Sequence, residues 1–240
     1  MKILAIGNSF SQDATRYASS IASSDGNVFT TVNLYIGGCP LYKHFQNIMS
    51  DAAAYSLEFN GVTTGFFVSI KQALLSREWD VITLQQLSGI SKNYATYQPY
   101  LDEVAAYCRK YAPKAKLYIH QTWGYEEGSN RLCLEQKYEH HADMFRDIKN
   151  AYAQAAEAIG AAGIIPSGEL VNELCSQGFK MHRDTFHLSY GLGRYATGLL
   201  WYAYLTGNSI DNNTFCSFDE ELTPQEIEAA KKAVNKVLGR

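Results

Sequence analysis

The chain has 240 residues, 46% hydrophobic and 19% charged, enough apolar material for a single domain over residues 1–240 with a substantial core. Its formal net charge of −3 gives no electrostatic reason to expect nucleic acid or an anionic membrane as a partner. Five cysteines, an odd count with no C-x-x-C among them, speak against a disulfide framework and a zinc ribbon. Reduced thiols are the expectation, and with them a cytoplasmic location. No apolar run nears the roughly 20 residues of a membrane span. The first strand begins at about Lys2, which leaves no room for a leader, although one already removed would leave no trace.

In chain order, Ile3–Ile6 is a short apolar run that reads as a buried strand ending at Gly7. Ser11–Ser24 reads as a helix. Val28–Ile36 is rich in β-branched and aromatic residues and is followed by the breakers Gly37, Gly38 and Pro40. Leu41–Tyr55 is expected to be helical. Leu57–Val68 carries Asn60-Gly61 between β-favouring flanks, a hairpin signal. Asp80–Leu84 is a further core strand, Tyr97–Tyr111 a helix and Lys116–His120 another strand. Tyr138, Ala142, Phe145, Ile148, Tyr152, Ala155 and Ile159 recur every three or four residues and predict one long amphipathic helix. Gly163–Ile165 reads as a short strand, and Glu169–Gln177 and Tyr190–Leu205 as helices. The last helix has an explicit start, with Thr223 as N-cap, Pro224 next and Glu226 three after the cap.

Strands alternating with helices predict a mostly parallel sheet covered on both faces. Ligands of such sheets bind beyond the carboxyl ends of the strands. Gly7-Asn8-Ser9, Gly37-Gly38, Gln85-Gln86 and Gln121-Thr122-Trp123 all follow predicted strands and so fall on one sheet edge.

Ser9, Asp184 and His187 are the side-chain types of a nucleophile, an orienting carboxylate and a general base. Alone, Gly7-Asn8-Ser9 could be an ordinary capped turn, and Asp184-x-x-His187 an ordinary loop. If the fold brings the two ends together at one sheet edge, the expectation is a serine hydrolase. Ser9 on a tight strand-to-helix turn would expose its hydroxyl and aim its backbone N–H at a developing oxyanion. Gly37-Gly38 could expose a second N–H. A side-chain amide of Gln85 or Gln86 could donate to the same oxygen, or either could simply finish a strand. The six histidines show no metal-ligand spacing, so no metal is expected.

These blocks together resemble the SGNH (GDSL-like) hydrolase superfamily over nearly the whole chain. Gly7-Asn8-Ser9-Phe10 is similar to its first block, with Asn8 where many members have Asp. Ile36-Gly37-Gly38-Cys39 is similar to the second, with Gly38 the better match for the oxyanion glycine. Asp184-Thr185-Phe186-His187 is similar to the fifth. The third block departs, since Leu84-Gln85-Gln86-Leu87-Ser88 stands where Gly-x-Asn-Asp is usual. The chain looks most like an uncharacterised bacterial branch with this glutamine-containing block. Carbohydrate acetylesterase branches carry a glutamine there, which makes Gln85 the first choice for the third oxyanion donor and Gln86 the second.

The resemblance implies a flavodoxin-like α/β/α sandwich with a five-stranded parallel sheet. It also implies cofactor-free hydrolysis of an ester through Ser9, His187 and Asp184, with Ser9, Gly38 and Gln85 holding the oxyanion. The expected partner is a small-molecule or carbohydrate ester, an acetyl group being the first choice. Gln86, Ser88 and the aromatic Trp123 are the candidate substrate contacts. A lipid ester or thioester is the runner-up. A non-catalytic module that holds an anion at the Ser9 turn is the reading from another class.

Overall fold

The computed structural model describes residues 1–240. Seven strands form one mixed sheet. They are β1 (Lys2–Gly7), β2 (Thr30–Tyr35), β3 (Tyr55–Phe59), β4 (Val62–Val68), β5 (Val81–Leu84), β6 (Lys116–His120) and β7 (Gly163–Ile165). Their spatial order is β4-β3-β2-β1-β5-β6-β7. The pairings β2-β1, β1-β5, β5-β6 and β6-β7 are parallel, whereas β2-β3 and β3-β4 are antiparallel.

The expectation of a five-stranded parallel sheet therefore needs correcting. The Asn60-Gly61 hairpin does not stand apart; it adds two antiparallel strands to the free edge of β2. Asn60 and Gly61 have φ of 50° and 79°, the positive values a tight two-residue turn requires. A Cβ on Gly61 would lie 2.1 Å from the Arg16 carbonyl oxygen, so this turn admits no other residue without moving backbone.

Nine α-helices flank the sheet: α1 (Ser9–Thr15), α2 (Ala18–Ser24), α3 (Leu41–Ser50), α4 (Ile70–Leu75), α5 (Tyr100–Tyr111), α6 (His141–Ala158), α7 (Ser167–Ser176), α8 (Leu192–Thr206) and α9 (Pro224–Val237). The predicted helix over Ser11–Ser24 is divided at Arg16-Tyr17. There the Tyr17 hydroxyl reaches across to donate to the Tyr190 carbonyl at 2.7 Å. The predicted helix to Tyr55 ends at Ser50, because Asp51 turns left-handed and Tyr55 opens β3.

Helices α1, α2, α7, α8 and α9 pack on one another, while α3, α4 and α5 form a second group and α6 lies against β6 and β7. A cluster of 59 buried apolar residues runs from Ile3 in β1 to Val234 in α9, joining both ends of the chain in one core. The chain leaves β1 toward β2 on one side and later fills β5, β6 and β7 on the other. That reversal opens a crevice at the carboxyl ends of β1 and β5. No helix is long and apolar enough to cross a membrane.

Candidate active site

β1 is buried from Ile3 to Gly7 and delivers the chain into the crevice. Asn8 then starts α1: its side-chain oxygen accepts from Phe10 N–H at 3.0 Å, and Ser11 Oγ accepts from Asn8 N–H at 3.1 Å. This reciprocal cap holds Ser9 as the first helical residue, where its own N–H has no acceptor within the helix.

The opposite wall is the segment after α7. Asp184 Oδ1 accepts from the N–H groups of His187 at 2.9 Å and Phe186 at 3.3 Å, folding Asp-x-x-His into one turn. Thr185 sits in that turn at φ 90°, an uncommon place for a β-branched residue, and its carbonyl accepts from Glu126 N–H at 2.7 Å. The other carboxylate oxygen, Oδ2, accepts from His187 Nδ1 at 2.7 Å. A carboxylate only accepts, so the ring proton is on Nδ1 and Nε2 is free to accept from Ser9 Oγ, 2.8 Å away. Burial opposes ionisation of Asp184, but the hydrogen bonds from His187 outweigh it and hold the carboxyl below its ordinary range.

The structure thus brings Ser9, His187 and Asp184 together in one hydrogen-bonded chain, from positions 178 residues apart for the first pair. Gly38, after β2, lies in the same cavity at φ 61°. The backbone N–H groups of Ser9 and Gly38 donate to no other group of the protein. The cavity measures about 410 Å³, and its lining includes Ser9, Gly38, Ser88, Tyr125, Arg131, Phe186 and His187.

Three expected contacts are placed elsewhere. Gln85 is buried beneath the site: its amide donates to Asn8 Oδ1 at 2.9 Å and its oxygen accepts from His120 Nδ1 at 2.8 Å. Asn8 Nδ2 in turn donates to the Cys39 carbonyl at 3.1 Å. The amides of Asn8 and Gln85 therefore tie together the carboxyl ends of β2, β1, β5 and β6, and Gln85 does not line the cavity. Gln86 is equally committed. Its oxygen accepts from Leu41 and Leu87 N–H, both at 2.9 Å, and its amide donates to Thr96. The wall after β5 is made instead by Leu87, Ser88 and Gly89. Trp123 is fully buried, stacked on Phe10 at 4.2 Å and donating to the Phe186 carbonyl at 2.8 Å, so it supports the loop rather than facing a ligand. Ser88 does line the cavity, with its Oγ 3.0 Å from the Tyr125 hydroxyl. No three His, Cys, Asp or Glu side chains are grouped to hold a metal ion.

Asp13 was not among the expected residues. It lies one helical turn after Ser9 and is completely buried. Its carboxylate accepts from Arg183 Nη1 at 2.9 and 3.0 Å, Arg194 Nε at 2.8 Å and the Leu188 N–H at 3.1 Å. Arg183 and Leu188 bracket the Asp184–His187 turn. The helix that carries the serine is thereby clamped to the loop that carries the histidine. The available sequence signal was the four-residue spacing of Ser9 and Asp13, together with a buried acid needing cations.

The α/β fold is shared with solved structures of proteins described as hydrolases and esterases. A candidate SGNH hydrolase from Slackia heliotrinireducens aligns with a TM-score of 0.58 at 21% identity, over 85% of this chain and 98% of that one. An acetyl xylan esterase, AlAXEase, aligns with a TM-score of 0.50 at 15% identity, over 85% of this chain and 99% of that one. At such identities what is shared is the fold. Residues 2–237 match the family described as Domain of unknown function (DUF4886), and the chain belongs to that family. A crystal structure of a DUF4886 family protein from Bacteroides uniformis ATCC 8492 has a TM-score of 0.92 and 33% identity, over 99% of this chain and 94% of that one. No curated protein matches the sequence.

Proposed function

We propose that residues 1–240 form one SGNH-type serine esterase domain that removes a short acyl group, acetyl in the first instance, from an alcohol such as a carbohydrate hydroxyl. The observation that carries this reading is the 2.8 Å contact of Ser9 Oγ with His187 Nε2, backed by the 2.7 Å contact of Nδ1 with Asp184. A serine hydroxyl is a weak nucleophile at neutral pH unless a base takes its proton. His187 is within reach to do so, and Asp184 fixes the tautomer and stabilises the imidazolium.

In this mechanism Ser9 Oγ bonds to the ester carbonyl carbon as its proton passes to His187 Nε2. The carbonyl electrons move onto oxygen, which the N–H groups of Ser9 and Gly38 receive. Each such donor contributes about 2.7–4 kcal/mol to barrier lowering. Collapse of the tetrahedral species breaks the bond to the alcohol oxygen, which takes the proton from His187. Water, deprotonated by His187, then bonds to the acyl carbon; the bond to Ser9 Oγ breaks, Ser9 Oγ takes the proton back from His187, and the acid leaves. Gln85 has no part in this scheme. The cavity of about 410 Å³ has room for a short acyl group.

The test is labelling with a fluorophosphonate probe and turnover of p-nitrophenyl acetate, each in the unmodified protein and in Ser9→Ala. Ser9-dependent labelling and turnover are expected. An unmodified protein that neither labels nor turns over would overturn the reading.

A further inference from the structure

The residues just after the Gly124–Asn130 loop form an unusual turn. Gln136 N–H donates to the Arg131 carbonyl at 3.1 Å, five residues back, so Arg131–Glu135 is a π-helical turn. Such a turn is wider than an α-helical one, and residues four and five apart both return to the face of the first. Arg131, Glu135 and Gln136 accordingly all line the reaction cavity.

Their polar atoms are uncommitted. Arg131 Nε and Glu135 Oε2 are 3.8 Å apart, an ion pair too long for a hydrogen bond. None of these three side chains makes a hydrogen bond within the protein. This contrasts with Gln86, whose amide donates to Thr96 and whose oxygen accepts from Leu41 and Leu87 N–H. The cavity wall therefore presents a guanidinium fork, a carboxylate and an amide to whatever occupies it.

Position says which part of the substrate they meet. The Arg131 guanidinium lies 4.2 Å over the Phe186 ring, and that ring is 3.8 Å from the His187 imidazole. In ester hydrolysis the leaving oxygen must be within reach of the histidine that protonates it. Groups beside His187 face the alcohol, while the acyl oxygen faces the Ser9 and Gly38 N–H groups.

The chemistry then narrows the alcohol. Arg131 and Glu135 stand together, so the attraction that either would give an ionic alcohol is opposed by the other, and charge favours neither a carboxylate nor an ammonium. An alkyl chain would strip water from three polar groups and return no hydrogen bond. A hydroxyl both donates and accepts, and several hydroxyls in a row satisfy a fork, a carboxylate and an amide together. We infer that Arg131, Glu135 and Gln136 form the subsite for a neutral polyhydroxylated alcohol, the sugar unit that carries the ester. This inference rests on the serine-esterase reading above.

The experiment compares kcat/KM for a mono-acetylated methyl xyloside with that for p-nitrophenyl acetate, in the unmodified protein, Arg131→Gln, Glu135→Gln and Gln136→Ala. Arg131 and Glu135 are substantially exposed, with side-chain accessibilities of 37% and 60%, so these replacements leave the core intact. The ratio of sugar ester to aryl ester is expected to fall by about tenfold or more in each variant, chiefly through KM for the sugar ester. A ratio within about twofold of the unmodified value in all three, with Ser9-dependent turnover of the aryl ester intact, overturns the subsite and leaves the esterase standing. Absence of any Ser9-dependent turnover overturns both.

Discussion

Replacing Asp13 by alanine tests whether the serine helix and the histidine loop are held together as the structure indicates. The carboxylate is fully buried and accepts from two guanidiniums and one backbone N–H. Arg183 and Arg194 are themselves largely covered, with 19% and 11% of their side chains exposed. Removing the shared acid strands both cations and the Leu188 N–H. Breaking a buried pair this way costs about 3–5 kcal/mol. Arg194 keeps Asp219 at 3.0 Å, which places the expected loss toward the lower end. A chain of this size shifts its melting temperature by about 2–4 °C per kcal/mol, so Asp13→Ala should melt about 6–20 °C lower. Because Leu188 adjoins His187, the base should also lose its fixed distance to Ser9. Near-attack geometry is sensitive to such displacement, and kcat for p-nitrophenyl acetate should drop at least about tenfold with a smaller change in KM. Asp13→Asn, which keeps one acceptor oxygen, should fall between the two. Thermal melts and steady-state kinetics on the same preparations suffice. An Asp13→Ala protein that melts within about 2 °C of the parent and keeps its kcat would refute the clamp.

Asp184→Asn should retain the fold, since its oxygen can still accept from His187 and Phe186 N–H, yet lose roughly 10⁴ in kcat because the amide favours the wrong imidazole tautomer. Undiminished turnover would remove Asp184 from the relay. Gln85→Leu separates a structural amide from an oxyanion donor. It should cost about 1–3 kcal/mol of stability by stranding Asn8 and His120. Its kcat should fall far less than the roughly 10²–10³ that a lost oxyanion donor costs, and a fall of that size would return Gln85 to the oxyanion hole. Burial lowers the imidazole pKa of His44 and His120 to about 3 and of His182 to about 4, against an ordinary 6.5. Between those values the unfolded chain binds more protons. Their contribution is therefore fully present above about pH 6.5 and is lost as pH falls toward about 3. Melting temperature should decline over that window, less steeply in His182→Asn, and a flat profile in the parent would contradict the buried neutral rings.

Several features were accessible to sequence because they are made within a few residues. The apolar run Ile3–Ile6 ending in Gly-Asn-Ser is β1 and its cap. Asn60-Gly61 supplies the positive φ pair of its hairpin, and Thr223, Pro224 and Glu226 start α9 as their types require. Asp184 and His187 are joined by a turn that their three-residue spacing alone permits. Alternation of strands and helices indicated a sheet whose strand ends gather the conspicuous loops. It did not say that the hairpin would extend the sheet, because an edge accepts or refuses a strand according to what else covers it.

The fate of the polar side chains at the crevice was decided only by tertiary structure. Gln85, Gln86 and Trp123 have the right types at the right edge, but an amide or indole can serve a ligand or the scaffold. The scaffold partners lie far off in sequence: Asn8 and His120 for Gln85, Thr96 and Leu41 for Gln86, Phe186 for Trp123. Asp13 and Arg131 present the converse case. Only the four-residue spacing from Ser9 marks Asp13, and nothing local marks Arg131, yet the fold sets the first against two largely covered arginines and the second over the Phe186 ring. Spacing within a turn determines which local hydrogen bonds can close, and so the sequence by itself determined the Asn8 cap ahead of Ser9 and the turn at His187. Which buried groups satisfy one another across 77 or 178 residues depends on packing, and only the folded chain settled that.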